Sequence, residues 1–220
     1  MRAVVLAGGK GRRLEPYTIS FPKPLVPVGD MPILEIVIRQ LKNCGFSRVT
    51  LATGHLSELL AAYFGDGDKW DIEVDYSREE KPLGTVAPLK LIPDLPDDFL
   101  VMNGDVLTTL RYDHLMEYHR QSGAEVTIAC HRVSSKVDLG VIEFDGGLHV
   151  TGYREKPRLN YDVSMGVYVF NKSVLDLVKP GAYLDFPTVI TQLIAEGRKV
   201  KVYISDDRWL DIGRPEDYGL

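Results

Sequence analysis

Cysteine is scarce in this chain of 220 residues, where only Cys44 and Cys130 occur. One falls in a helix-like stretch and the other in a strand-like stretch. They make neither a disulfide framework nor a thiolate metal site, and read as reduced core residues of a cytoplasmic protein. No apolar run approaches the roughly 20 residues needed to cross a membrane, and the few apolar residues before Gly8 are too short for a signal peptide. Positive charge is not in excess either. The 26 Lys and Arg stand against 31 Asp and Glu, a net charge of −5, which argues against a nucleic-acid or anionic-membrane surface. The five histidines form no Ser-His-Asp or Cys-His arrangement, and His114 and His119 read as surface or packing residues. Internal repeats and low-complexity linkers are missing as well. Residues 1–220 are therefore expected to form a single domain, and an apolar content of 45% is enough for one substantial core.

What the chain does have is concentrated in Leu6 to Leu25, LAGGKGRRLEPYTISFPKPL. The preceding Ala3-Val4-Val5-Leu6 reads as a buried first strand. Gly8, Gly9 and Gly11 follow, with Arg12, Arg13 and Lys23 supplying positive charge and Pro16, Pro22, Pro24 and Pro27 stiffening the segment. Glycine lets backbone approach a ligand closely, and successive turned N–H groups make a concavity for anions. A strand feeding such a loop reads as a polyphosphate site. Two common phosphate loops do not fit. Lys10 precedes Gly11 and no Gly-Lys-Ser/Thr occurs, and the third glycine of G-x-G-x-x-G would fall on Leu14.

The rest of the chain alternates strand-like and helix-like stretches. Asp30-Met31-Pro32 reads as a capping aspartate and early-turn proline before a helix carrying Ile33, Leu34, Val37 and Leu41, which stops at Gly45. Residues 47–52 and 71–76 read as strands with a short helix, Ser57 to Phe64, between them. That order implies βαβ units and a mostly parallel sheet with ligands beyond the carboxyl ends of its strands. Residues 84–92 read as a helix opening toward the ligand, with Pro88 in its first turns. Phe99 to Met102 is a buried strand ending at Asn103-Gly104-Asp105. A carboxylate there suits Mg²⁺, a hard cation that takes oxygen ligands, and reads equally as a turn aspartate. Then follow a helix at 111–122, a strand at 125–132, a hairpin at 139–154 with a glycine turn, and a strand at 163–170 with Gly166 placed for close approach. A brief helix at 173–178, a helix at 186–196 and a strand at 200–204 complete the pattern.

Gly8, Gly9, Gly11, Arg13, Leu14, Pro16, Thr18, Pro22, Lys23, Pro24 and Leu25 match the opening signature of the sugar-1-phosphate nucleotidylyltransferases (NDP-sugar pyrophosphorylases), G-G-x-G-x-R-L-x-P-x-T-x-x-x-P-K-P-L. Leu83-Gly84-Thr85, Asn103-Gly104-Asp105, Glu155-Lys156-Pro157 and Trp209-Leu210-Asp211-Ile212-Gly213 with Pro215-Glu216-Asp217 resemble later motifs of that family, in the family's order. The resemblance implies a Rossmann-like three-layer α/β/α sandwich with a mostly parallel central sheet and a small β-rich elaboration walling the sugar side. It implies a reaction in which a sugar 1-phosphate attacks the α-phosphorus of a nucleoside triphosphate and pyrophosphate leaves. By resemblance, Arg13 and Lys23 are catalytic, and Leu6, Ala7, Gly8, Gly9, Gly11, Gly84, Thr85 and Asp105 hold the nucleotide. Gly140, Glu155, Lys156 and Gly166 hold the sugar phosphate, and Asp105 and Asp211 bind Mg²⁺. Val86-Ala87 stands where relatives carry Ala-Gly, so the helix after Thr85 is expected to begin late. The short stretch after Pro215-Glu216-Asp217 resembles the compact mannose- and heptose-phosphate guanylyltransferases, which points toward GTP and leaves the oligomeric state open. The alternatives are a non-catalytic regulatory module on the same domain and a glycosyltransferase using a finished NDP-sugar. The second lacks support, since the G-G-x-G-x-R-L and P-K-P-L motifs are present and no Asp-x-Asp follows the central strand.

Overall fold

The computed structural model describes residues 1–9, 11 and 14–212. Its first half contains β1 (Arg2–Leu6), α1 (Tyr17–Ser20), β2 (Pro27–Val28), β3 (Met31–Pro32), α2 (Ile33–Asn43), β4 (Arg48–Thr53), α3 (Ser57–Phe64), β5 (Glu73–Arg78), β6 (Asp98–Asn103) and β7 (Val106–Thr108). The second half adds α4 (Tyr112–Ser122), β8 (Val126–Lys136), β9 (Val141–Phe144), β10 (Val150–Arg154), β11 (Arg158–Asn171), α5 (Phe186–Ala195), β12 (Val200–Ser205) and β13 (Trp209–Asp211).

Seven strands form the central sheet in the order β12-β8-β11-β6-β1-β4-β5. Every neighbouring pair is parallel except those made by β11, which runs antiparallel to both β6 and β8. The pleat divides the apolar strand residues between two faces. Ala3, Val5, Leu100 and Met102 enter a core shared with α2, α3 and α4, whereas Val4, Phe99 and Val101 enter a second core covered by α5 and the 3₁₀ turn Ala87–Leu91. Strands buried on both sides this way read as continuous apolar runs rather than alternating ones. In α2, Ile33, Leu34, Val37, Ile38 and Leu41 are all fully buried, the 3.6-residue stripe expected of a helix packed on a sheet. The α/β layered fold with a mostly parallel sheet is thus as expected. Among the described residues no helix is long and apolar enough to cross a membrane.

Several elements differ from expectation. Asp30 does not cap α2. It sits with Gly29 (φ +66°) in the turn joining β2 to β3, and the helix starts after Pro32 without a side-chain cap. The 84–92 segment is not an α-helix but the 3₁₀ turn Ala87–Leu91, consistent with Pro88 having no N–H to donate. Residues 172–177 are likewise a 3₁₀ turn. β8 and β11 are longer than their apolar runs and continue as an antiparallel ribbon from Cys130↔Ser164 to Lys136↔Arg158. The hairpin β9–β10, by contrast, is as expected, and it forms its own two-stranded sheet.

Candidate active site

The carboxyl ends of β5, β4, β1 and β6 stand side by side across the sheet, and the loops leaving them border a cleft of 1290 Å³. Leu6, Ala7, Gly8, Gly9 and Gly11 line it from the loop after β1, and Asn103, Gly104 and Asp105 from the end of β6. Thr53, Gly54 and His55 contribute from β4, and Arg78, Glu79, Glu80 and Lys81 from β5, while Lys23, Gly84, Thr85 and Tyr183 reach it from elsewhere.

Local geometry shapes the glycine loop. Gly11 adopts φ +61°, and its carbonyl accepts from both Leu14 N–H and the Thr18 hydroxyl at 2.8 Å. A Cβ at Gly11 would stand 2.8 Å from Thr18 Cγ2, so only glycine fits this turn without displacement. The loop's tail returns to the sheet through the 3₁₀ turn Lys23–Leu25, which buries Pro24 and Leu25 and leaves the Lys23 ammonium to reach the β6 end. There it forms an ion pair with the Asp105 carboxylate. Both side chains are largely shielded from water, at 11% and 19% exposure.

Asp211 arrives from the far end of the described chain. β13 pairs antiparallel with β7, setting Asp211 opposite Val106, and the Ile212 N–H donates to the Asp105 carbonyl at 3.1 Å. The Trp209 indole N–H fixes the same strand by donating to the Met165 carbonyl at 2.9 Å. Asp105 and Asp211 are thereby brought next to one another. The donor set is oxygen, and Asp105 already holds a cation in the form of the Lys23 ammonium, so the pair suits a hard divalent ion. Among the described residues no cluster of three or more His, Cys, Asp or Glu has a metal-holding arrangement. Gly166 (φ +73°) lies against the Asn103 side chain at the same end of β6.

Three of the expected sugar-side residues are elsewhere. Gly140, Glu155 and Lys156 are exposed and do not border the cleft. Glu155 accepts a hydrogen bond from the Tyr153 hydroxyl at 2.8 Å, and Gly140 lies beneath that same hydroxyl. Arg13 and the residues from Gly213 onward lie outside the described residues.

The loop after β5 also departs from expectation. The amides of Val86 and Ala87 do not open toward a ligand, because both donate to the Leu184 carbonyl, at 3.0 and 3.2 Å. The Thr85 hydroxyl accepts from Phe186 N–H at 2.9 Å. Glu79, which sequence reasoning passed over, organises this side. One carboxylate oxygen accepts from Leu83 N–H at 2.9 Å, and the other stands beside Gly8 and Gly54. The signal for Thr53–His55 and Glu79 was their place just past the ends of parallel strands.

Sheet order and family match together define an α/β nucleotidyltransferase domain. Residues 2–219 match the family model described as Nucleotidyl transferase, and the chain belongs to that family. It is 33% identical over 222 residues to the mannose-1-phosphate guanylyltransferase of Mycobacterium tuberculosis, covering 98% of this chain and 62% of the relative. It is 31% identical over 238 residues to the UTP--glucose-1-phosphate uridylyltransferase of Synechocystis sp., covering 99% and 61%. Among solved structures it superposes on HddC from Yersinia pseudotuberculosis complexed with GMP-PN with a TM-score of 0.75 at 25% identity, covering 99% of this chain and 96% of that one. The chain thus spans about three fifths of the length of those curated relatives.

Proposed function

We propose that this protein is a sugar-1-phosphate nucleotidylyltransferase, joining a nucleoside triphosphate to a sugar 1-phosphate with release of pyrophosphate. The observation that carries the reading is the shielded Lys23–Asp105 pair, set in one cleft with the glycine loop. The names of the relatives support the same reaction class.

The nucleophile is a phosphate oxygen, and a phosphate monoester loses its second proton at about pH 6, so the chain need not supply a strong base. Its task is in-line positioning and compensation of negative charge. Arg13 and the amides around Gly8, Gly9 and Gly11 hold the triphosphate, and Lys23 stabilises charge at the α-phosphate. Leu6, Ala7, Gly84 and Thr85 wall the nucleotide. Glu155 and Lys156 are assigned to the sugar and its phosphate, with Gly140 and Gly166 shaping that side. Asp105 and Asp211 would hold Mg²⁺, which when bound screens the repulsion between the two substrates' phosphates. Guanine is the base this reading favours, supported by the guanylyltransferase relatives and the GMP-PN complex of HddC. The two unpaired cysteines support a cytoplasmic setting.

The test is pyrophosphate release in the presence of Mg²⁺, crossing five nucleoside triphosphates with glucose, mannose and heptose 1-phosphates. Release that requires both substrates supports the reading. Release from a triphosphate alone, or nucleotide binding without turnover across the panel, overturns it and favours a hydrolase or a regulatory module.

A further inference from the structure

The segment before α5 crosses directly over the loop that carries Gly84. Leu184 N–H donates to the Leu83 carbonyl at 2.8 Å, and the Leu184 carbonyl takes the amides of Val86 and Ala87. Phe186 N–H is tied to the Thr85 hydroxyl. Gly84 adopts φ +92°, and a Cβ there would stand 2.4 Å from the Leu184 carbonyl oxygen. The Phe186 ring stacks on Tyr168 with centroids 3.8 Å apart, anchoring the far end in the core. A short strap is therefore pinned on both sides of one residue, Leu184.

Tyr183 is the next residue outward. Its backbone inherits that fixed position, yet it is 64% exposed and borders the cleft. Among the described residues bordering the cleft it is the only Phe, Tyr or Trp. Among the described residues no hydrogen bond, ion pair or ring contact engages its side chain, although Asp185 and Leu184 beside it are committed. A rigidly mounted, unengaged aromatic at the mouth of a polar cleft offers a π-face where a planar ring can lie. Lys23, beside β6, is the cation assigned to phosphate, and Arg78 and Lys81 border the cleft on the side of β5. Tyr183 adjoins Gly84 on the nucleotide wall.

We infer that Tyr183 is a stacking platform for the nucleotide base and favours purines, whose larger rings overlap it better than pyrimidines. The inference rests on the nucleotide reading of the cleft. Each stacked base is worth an amount that corresponds to roughly a five- to 150-fold change in affinity on removal of the aromatic ring.

Binding of GTP, UTP and inorganic tripolyphosphate to wild type, Tyr183→Phe and Tyr183→Ala by titration calorimetry tests it. Tyr183→Ala is expected to weaken GTP about tenfold or more, UTP less, and tripolyphosphate not at all. Tyr183→Phe is expected to bind GTP as wild type does, since the ring is kept. Unchanged GTP affinity in Tyr183→Ala overturns the inference. So does an equal loss of tripolyphosphate affinity, which would mark general disruption of the loop. Unchanged nucleotide affinity with weakened sugar 1-phosphate binding would also overturn it, assigning the ring to the sugar. Should wild type bind none of the three ligands, the nucleotide reading itself fails, a result distinct from failure of the stacking role.

Discussion

Replacing Gly84 with alanine isolates what the strap contributes. Two costs follow from the geometry. An L-residue at a positive φ such as +92° loses roughly 1–2 kcal/mol. The added Cβ would lie 2.4 Å from the Leu184 carbonyl oxygen and 2.8 Å from its carbon, both backbone atoms that cannot rotate away. Relief requires the strap to lift, which lengthens the three hydrogen bonds linking Leu184 to Leu83, Val86 and Ala87. At about 0.5–1.5 kcal/mol for each bond, partial loss adds a further 1–3 kcal/mol. The expected total is about 2–5 kcal/mol, read as a lower urea midpoint at unchanged m-value. The same variant should lose GTP affinity along with Tyr183→Ala, because the platform moves with its strap. A Gly84→Ala protein within about 0.5 kcal/mol of wild type would refute the reasoning, as it would show the strap to be freely displaceable.

Lys23→Ala or Asp105→Ala should each lower turnover in the pyrophosphate-release assay by at least about a hundredfold while the circular dichroism spectrum stays native. Near-normal turnover in either would remove its assigned role. His119 is 1% exposed, its Nδ1 is 2.7 Å from the Thr127 hydroxyl, and burial holds its imidazole below the ordinary value of 6.5 despite Asp98 at 3.4 Å. The folded state therefore keeps it neutral while the unfolded chain takes up a proton. Stability is complete above about pH 6.5 and declines as pH falls below it, and urea titrations of His119→Gln at pH 7.5 and 5.5 should lose that decline. An unaltered slope would assign it to other groups. Glu35 is buried. Burial raises its carboxyl pKa, but hydrogen bonds from Tyr63 and Arg39 outweigh this and hold it down to about 2. Its contribution is present above about pH 4.3 and lost as pH falls toward 2. Glu35→Gln should cost about 1–3 kcal/mol at neutral pH and flatten the acid limb of a thermal-midpoint profile; a variant as stable as wild type would contradict this.

The strands buried on both faces were legible because their residues leave no polar alternative. Ala3-Val4-Val5 and Phe99 to Met102 can only be interior. The glycine loop was legible for a related reason, since glycine, arginine and proline at such density have few structural uses. The antiparallel course of β11 was not legible, because Arg158 to Val163 is polar and alternating, and its partner is chosen by tertiary pairing. Asp30 looked like a cap because local chemistry favours one there, but the tight turn between β2 and β3 claims it. Gly84 was assigned to the nucleotide, whereas its conformation is first required by Leu184, a hundred positions away in sequence. Asp105 and Asp211 were joined only by family resemblance. The β7–β13 pairing supplies the physical reason they are neighbours. Contacts across such separations depend on strand order, which spacing alone does not encode.

The central claim is that a sugar-phosphate oxygen attacks the α-phosphorus. Its most direct test follows sugar 1-phosphate labelled with oxygen-18 in its phosphate through a single turnover, with products resolved by mass spectrometry. The account predicts that all of the label stays in the NDP-sugar and that the released pyrophosphate carries none. Label in pyrophosphate or in free phosphate would mean that a different bond is formed and broken, and would contradict it.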